Sequence, residues 1–137
     1  RLDNLLFAPD GTDCVAVLDW ELSTIGHPYA DLAAVIMQWS SPATTEGRGL
    51  AGVDRAALGL WSDEEFIAGY CERRGLAPIE GFNFYLAFTY FRMAAILQGV
   101  KKRAMDGNAS DPARGLALGE YVPEFARAGL RTAKDET

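Results

Sequence analysis

Apolar residues recur with two different rhythms along this chain. Two short runs of strand formers come first, NLLFA at 4–8 and CVAVLD at 14–19, separated by PDGTD with the turn signal Asp10-Gly11. They predict a β-hairpin of buried strands. With the turn centred between Gly11 and Thr12, Ala8 faces Val15, Leu6 faces Val17 and Asn4 faces Asp19, so two polar ends meet at the open mouth.

Beyond Pro28 the rhythm becomes helical. Leu32, Val35, Ile36 and Trp39 share a face over residues 29–39, and Pro28 suits a first helical position. That places Asp31 in the first turn, where the helix dipole favours a negative charge. SSPATTEGRGLAGVD then reads as a loop. SDEEFIAGYCERRG carries a full set of helix signals: Ser62 as cap, Glu65 to close a capping box, Arg73 and Arg74 at the end, and Gly75 as the stop. Residues 80–105 form a long helix, apolar nearly all round in its first half, which predicts a central element. Arg92, Gln98 and the Lys101-Lys102-Arg103 run interrupt it well before the ~20 apolar residues that a bilayer needs. A last helical stretch starts near Pro112, and Pro123 is expected to kink or split it. No internal repeat is present.

Composition narrows the class. A chain of 137 residues, 49% hydrophobic and 23% charged, has the balance of a globular domain large enough to bury a core. The net charge of −6 argues against duplex nucleic acid as a partner, because a binder there needs a positive face. Cys14 and Cys71 lack C-x-x-C spacing and no secretory signal precedes them, so two buried, reduced thiols in a cytoplasmic protein are expected. The single His27 removes most zinc sites.

Candidate chemistry gathers at the hairpin mouth. A buried charge costs several kcal/mol, on the order of the penalties for unpaired ions, so Asp19 at the end of an apolar strand needs a partner. Either it caps a turn or it holds a cation. An Asn beside an Asp offers oxygen ligands of the kind Mg²⁺ takes together with water and phosphate oxygens, although polar hairpin ends also occur as plain surface features. Asp19 and Glu21, about 7 Å apart at strand rise, also have a spacing compatible with a hydrolytic acid/base pair; nothing else in the sequence supports that reading.

RLDNLLF followed by AVLDWELSTIGHPYADLA resembles the core of the aminoglycoside phosphotransferase-like kinases. Asn4 matches the pattern's Asn, Asp19 its metal-binding Asp, and Gly26, Pro28, Asp31, Leu32 and Ala33 its closing element. YLAFTYFRMAAILQGVKKRAMDGNAS further resembles the branch related to the kinase portions found beside acyl-CoA dehydrogenases. The resemblance implies an α+β, mainly α, protein kinase-like fold. Residues 1–137 would be part of the C-terminal lobe, with a hairpin at 4–19 and a helical subdomain at 28–134, and the N-terminal lobe absent. It implies transfer of the γ-phosphoryl group of ATP or GTP to a small-molecule hydroxyl with Mg²⁺, a hydroxyacyl thioester being a candidate substrate. The pattern's catalytic Asp falls upstream of Arg1, so this piece alone is expected to be inactive. A non-catalytic helical binding module, in which Asn4 and Asp19 only stabilise the hairpin, is the alternative.

The remaining residues carry weaker expectations. Asp31 resembles the acid that braces the catalytic loop in kinase-like folds. Glu21 is a candidate for outer metal contacts or a surface ion pair. His27 is a candidate phosphate or substrate contact, with a loop histidine satisfied by a neighbour as the plainer reading. Arg92 is expected to pair with an acid inside the lobe, a contact to a substrate anion being the sharper alternative. Tyr85, Phe88 and Tyr90 are expected in the core. Lys101, Lys102 and Arg103 read as a solvated helix end, or more weakly as a contact to coenzyme A phosphates.

Overall fold

In the computed structural model, residues 4–21, 23–43 and 48–135 are described. The chain begins with an antiparallel ribbon, β1 (Leu5–Phe7) and β2 (Cys14–Val17), and continues into helices α1 (Pro28–Trp39), α2 (Asp63–Arg74), α3 (Phe82–Met105), α4 (Pro112–Gly119) and α5 (Val122–Lys134). α3 is the central helix, packed against α1, α4 and α5. The core lies among them, with Leu32, Ala33, Ile36 and Met37 from α1 meeting Tyr90, Ala94 and Leu97 from α3.

Local chemistry sets most helix ends. Pro28 sits in the first turn of α1 with His27 as the cap. At α2, the Ser62 hydroxyl accepts from the Glu65 amide at 3.1 Å and the Glu65 carboxylate accepts from the Ser62 amide at 2.7 Å, while Gly75 closes the helix in the left-handed region at φ 62°. These bonds satisfy amides that the first turn leaves without helical partners. The last helical stretch divides as its proline predicts: α4 stops at Gly119, and α5 restarts with Pro123 in its first turn.

The ribbon departs from expectation in register and in burial. Leu5 faces Val17, Leu6 faces Ala16 and Phe7 faces Cys14, with an irregularity between Leu6 and Phe7. The Ala8 amide donates to the Asp13 carbonyl, so Ala8 meets a residue two positions earlier than the Val15 that a turn centred on Gly11-Thr12 predicts. Val15 is the extra residue, and Asn4 comes to face Leu18, whose amide donates to the Asn4 carbonyl at 2.7 Å. The strands are not buried: Val15 is 63% and Val17 47% exposed, and the two strands pack mainly on each other. For the same reason the Cys14 thiol is exposed rather than buried, whereas Cys71 is buried as expected.

α3 also differs in detail. Tyr90 lies in the core, but Phe84, Phe88, Phe91 and Ile96 are exposed on the side away from α1, α4 and α5, so Phe88 is not a core residue. Arg92 is exposed on that side as well, and no ion pair joins it to an acid among the described residues. An exposed guanidinium does not need the partner that burial would have demanded. At the helix end, Lys101 pairs with Glu120 and Lys102 with Asp106. No helix among the described residues is long and apolar enough to cross a membrane.

Candidate metal centre at the ribbon mouth

The ribbon brings Asn4 and Asp19 together despite its shifted register. Asn4 Nδ2 donates to Asp19 Oδ2 at 2.9 Å. Backbone conformation explains how the contact survives. β2 ends at Val17, and Asp19 adopts φ 67°, a left-handed conformation that an L-residue enters at a cost. The chain therefore turns sharply after Leu18. The following residue locks this turn, its indole nitrogen donating to the Val17 carbonyl, and the Ser23 amide donates to the Trp20 carbonyl at 2.9 Å.

Asp19 is exposed, so the argument from a buried charge does not apply to it. Strain takes its place. A residue other than glycine held at positive φ persists when surrounding contacts over-determine it, and such residues cluster at ligand sites. The donor set fits Mg²⁺ on its chemistry: the mutual hydrogen bond uses Asn4 Nδ2 and Asp19 Oδ2, so Asn4 Oδ1 and Asp19 Oδ1 lie outside it as oxygen donors and most of an octahedron is left to water and phosphate oxygens. Among the described residues no group of three or more His, Cys, Asp or Glu could hold a metal ion.

His27 sits where α1 begins. Its Nδ1 accepts from the Tyr29 amide at 3.4 Å, its Nε2 lies 3.4 Å from the Tyr85 hydroxyl, and its ring packs 4.7 Å from that of Tyr29 and 5.0 Å from that of Tyr85. Both ring nitrogens of His27 thus have polar neighbours. The tyrosine pair around it went unforeseen; the sequence signal was Tyr29 two positions after His27, within reach of its ring. Asp31 is exposed in the first turn of α1, and Glu21 is exposed just beyond the ribbon mouth. No described contact joins Asp31, Glu21 or Arg92 to the Asn4–Asp19 pair. The residues before Asn4 lie outside the described ones.

Comparison with known proteins places this arrangement in a family. A model of the phosphotransferase enzyme family (APH) matches residues 1–80, which hold the ribbon, the Asn4–Asp19 pair, α1 and α2. The chain belongs to that family, and with it to the protein kinase-like fold. Acyl-CoA dehydrogenase family member 10 of Mus musculus is 48% identical over 111 residues, covering 80% of this chain and 10% of that protein. Acyl-CoA dehydrogenase family member 11 of Homo sapiens is 42% identical over 135 residues, covering 98% of this chain and 17% of that protein. A probable acyl-CoA dehydrogenase of Arabidopsis thaliana, IBR3, is 34% identical and aligns with 95% of the chain and 16% of its own length. The chain thus spans between a tenth and a fifth of the curated relatives it matches. No solved structure matches it.

Proposed function

We propose that residues 1–137 form part of the C-terminal lobe of a small-molecule kinase, which transfers the γ-phosphoryl group of ATP or GTP to a substrate hydroxyl. Asn4 and Asp19 hold Mg²⁺ against the nucleotide phosphates in this reading. The observation that carries it is the 2.9 Å contact between those two side chains, made by an Asp fixed at φ 67°. When bound, the ion supplies positive charge where the transferring phosphoryl group accumulates negative charge. The protein's part is to set the amide and the carboxylate side by side. Asp31 supports the loop that precedes Asn4, Glu21 and His27 are secondary candidates near the phosphates, and Arg92 is a secondary candidate for a substrate anion.

The relatives' names refer to acyl-CoA dehydrogenases, which supports a hydroxyacyl thioester as substrate over a cationic drug. The family's catalytic Asp has no counterpart among residues 1–137, so this chain by itself is expected to show no turnover, and a measured turnover would refute that. A cytoplasmic setting suits a nucleotide-dependent enzyme. The test is a titration of the full-length protein with nucleotide and Mg²⁺ against its Asp19→Ala variant. The variant should lose metal-dependent nucleotide affinity and turnover; unchanged values would favour a non-catalytic helical binding module.

A further inference from the structure

A cleft opens at the C-terminal end of α1. Its walls come from the end of α1 and the loop after it, from α3, and from α4 and α5, and it encloses about 730 Å³, within the range of small-molecule sites. None of its lining residues belongs to the ribbon or to the Asn4–Asp19 pair.

Its lining has two characters. Met37 and Leu97 are buried at the base, with Met93 and Phe125 half-buried beside them. Arg48, Arg114 and Arg131 stand around it with Glu124 as the acid among them. In a chain of net charge −6, three guanidiniums against one carboxylate reverse the sign locally. Arg48 and Arg114 also make contacts within the protein. Arg131 has no ion pair among the described residues.

The backbone at Arg48 is a second, independent observation. Arg48 is at φ 51°, and apart from Asp19 it is the only non-glycine residue at positive φ among the described residues. Its neighbours hold it there. Gly49 is buried, and a Cβ on it would overlap the Ser41 carbonyl and lie 2.7 Å from the Gln38 carbonyl oxygen. The Leu50 amide donates to the Trp39 carbonyl at 2.8 Å, the Gly49 amide to the Pro42 carbonyl at 3.1 Å, and the Gln38 side chain to the Arg48 carbonyl at 3.4 Å. Strain kept by close packing marks a residue whose position is imposed, and Arg48 is imposed on the cleft.

We propose that this cleft binds an amphipathic monoanion, a carboxylate on an unbranched apolar chain, with the head group at Arg131 and Arg48 and the chain along Met37, Met93, Leu97 and Phe125. The planar guanidinium fork matches a carboxylate. Glu124 offsets one of the guanidiniums, and its carboxylate repels a second negative charge on the ligand, which suits a monoanion better than a dianionic phosphate. Methionines form an adaptable wall for a flexible chain.

The test is isothermal titration of the full-length protein with octanoate, 1-octanol and acetate. Octanoate should bind, with the neutral alcohol and the short acid each at least about tenfold weaker. Arg131→Gln, with an unchanged melting temperature because the side chain is exposed, should weaken octanoate about tenfold and leave 1-octanol alone. Arg131→Lys should recover part of the loss, and Asp19→Ala should leave octanoate binding intact, which separates this site from the nucleotide site. Equal affinity for octanoate and octanol, no octanoate binding, or a folded Arg131→Gln protein with unchanged affinity would overturn the proposal. So would Arg131-dependent sedimentation with phosphatidylserine vesicles that octanoate does not compete away, which would assign the arginines to a membrane surface.

Discussion

Replacing Asp19 separates its strain from its chemistry. Its left-handed conformation costs an L-residue about 1–2 kcal/mol, toward the low end for Asp, and its exposed hydrogen bond to Asn4 returns about 0.5–1 kcal/mol. Asn keeps both the tolerance for this conformation and a hydrogen-bonding oxygen, so Asp19→Asn should change ribbon stability by no more than about 0.5 kcal/mol. Asp19→Gly relieves roughly 1 kcal/mol of strain, loses the hydrogen bond and gains unfolded-state freedom worth about 0.5–1 kcal/mol, for a net change within about 1 kcal/mol. Asp19→Val adds a β-branched clash and loses the bond, costing about 2–3 kcal/mol. The readout is native-state hydrogen exchange at the Leu18 amide, which donates to the Asn4 carbonyl and opens with the ribbon. All three variants should lose metal-dependent nucleotide affinity, whatever their stability. If Asp19→Val protects Leu18 as well as the native residue does, or Asp19→Gly exposes it by more than about 2 kcal/mol, the conformation is not strained and the site argument loses its support.

Further outcomes follow from packing, capping and titration. Gly49→Ala, which drives a Cβ into backbone carbonyls, should destabilise by about 2–3 kcal/mol in urea unfolding, whereas Gly75→Ala, with open space around it but φ at 62°, should cost only about 1 kcal/mol. Ile36→Ala in the core should cost about 2–5 kcal/mol by the same measurement. Ser62→Ala removes the α2 cap and should cost about 1 kcal/mol. Glu64 beside it is held below its ordinary value of 4.5 by its own backbone amide first, then by the Ser62 hydroxyl and, more weakly, by Arg55. Its contribution to stability is therefore full above pH 4.5 and fades as pH falls through the lower folded value; Ser62→Ala should flatten that acid limb in a pH series of melting curves.

The helices were legible because their signals are local. A capping box, a terminal glycine and a proline in the first turn act through bonds within four residues, and Ser62, Gly75, Pro28 and Pro123 each act where the sequence placed them. The meeting of Asn4 with Asp19 was also legible, though for an incomplete reason. Facing positions predicted it, while the bulge at Val15 slid the register and the left-handed turn at Asp19 restored the contact. Neither a bulge nor a positive φ at an aspartate has a one-residue signature. Burial was the least legible property. Cys14, Val17, Phe88 and Arg92 sit in apolar runs that look like interior, but a run records only that a surface can be covered, not that an element of this chain covers it. The Arg48 cleft escaped notice because its residues come from five separate stretches, each unremarkable alone.

The thinness of the ribbon has a thermodynamic consequence. Two strands of three and four residues that pack mainly on each other are at the edge of what holds together in water. In the proposed reading, ordering them and aligning Asn4 with Asp19 are one event, so an ion held there would also meet the entropy of closing the loop. Its capture should show a more unfavourable entropy than binding to a preformed site, offset by enthalpy, so cooling should tighten it.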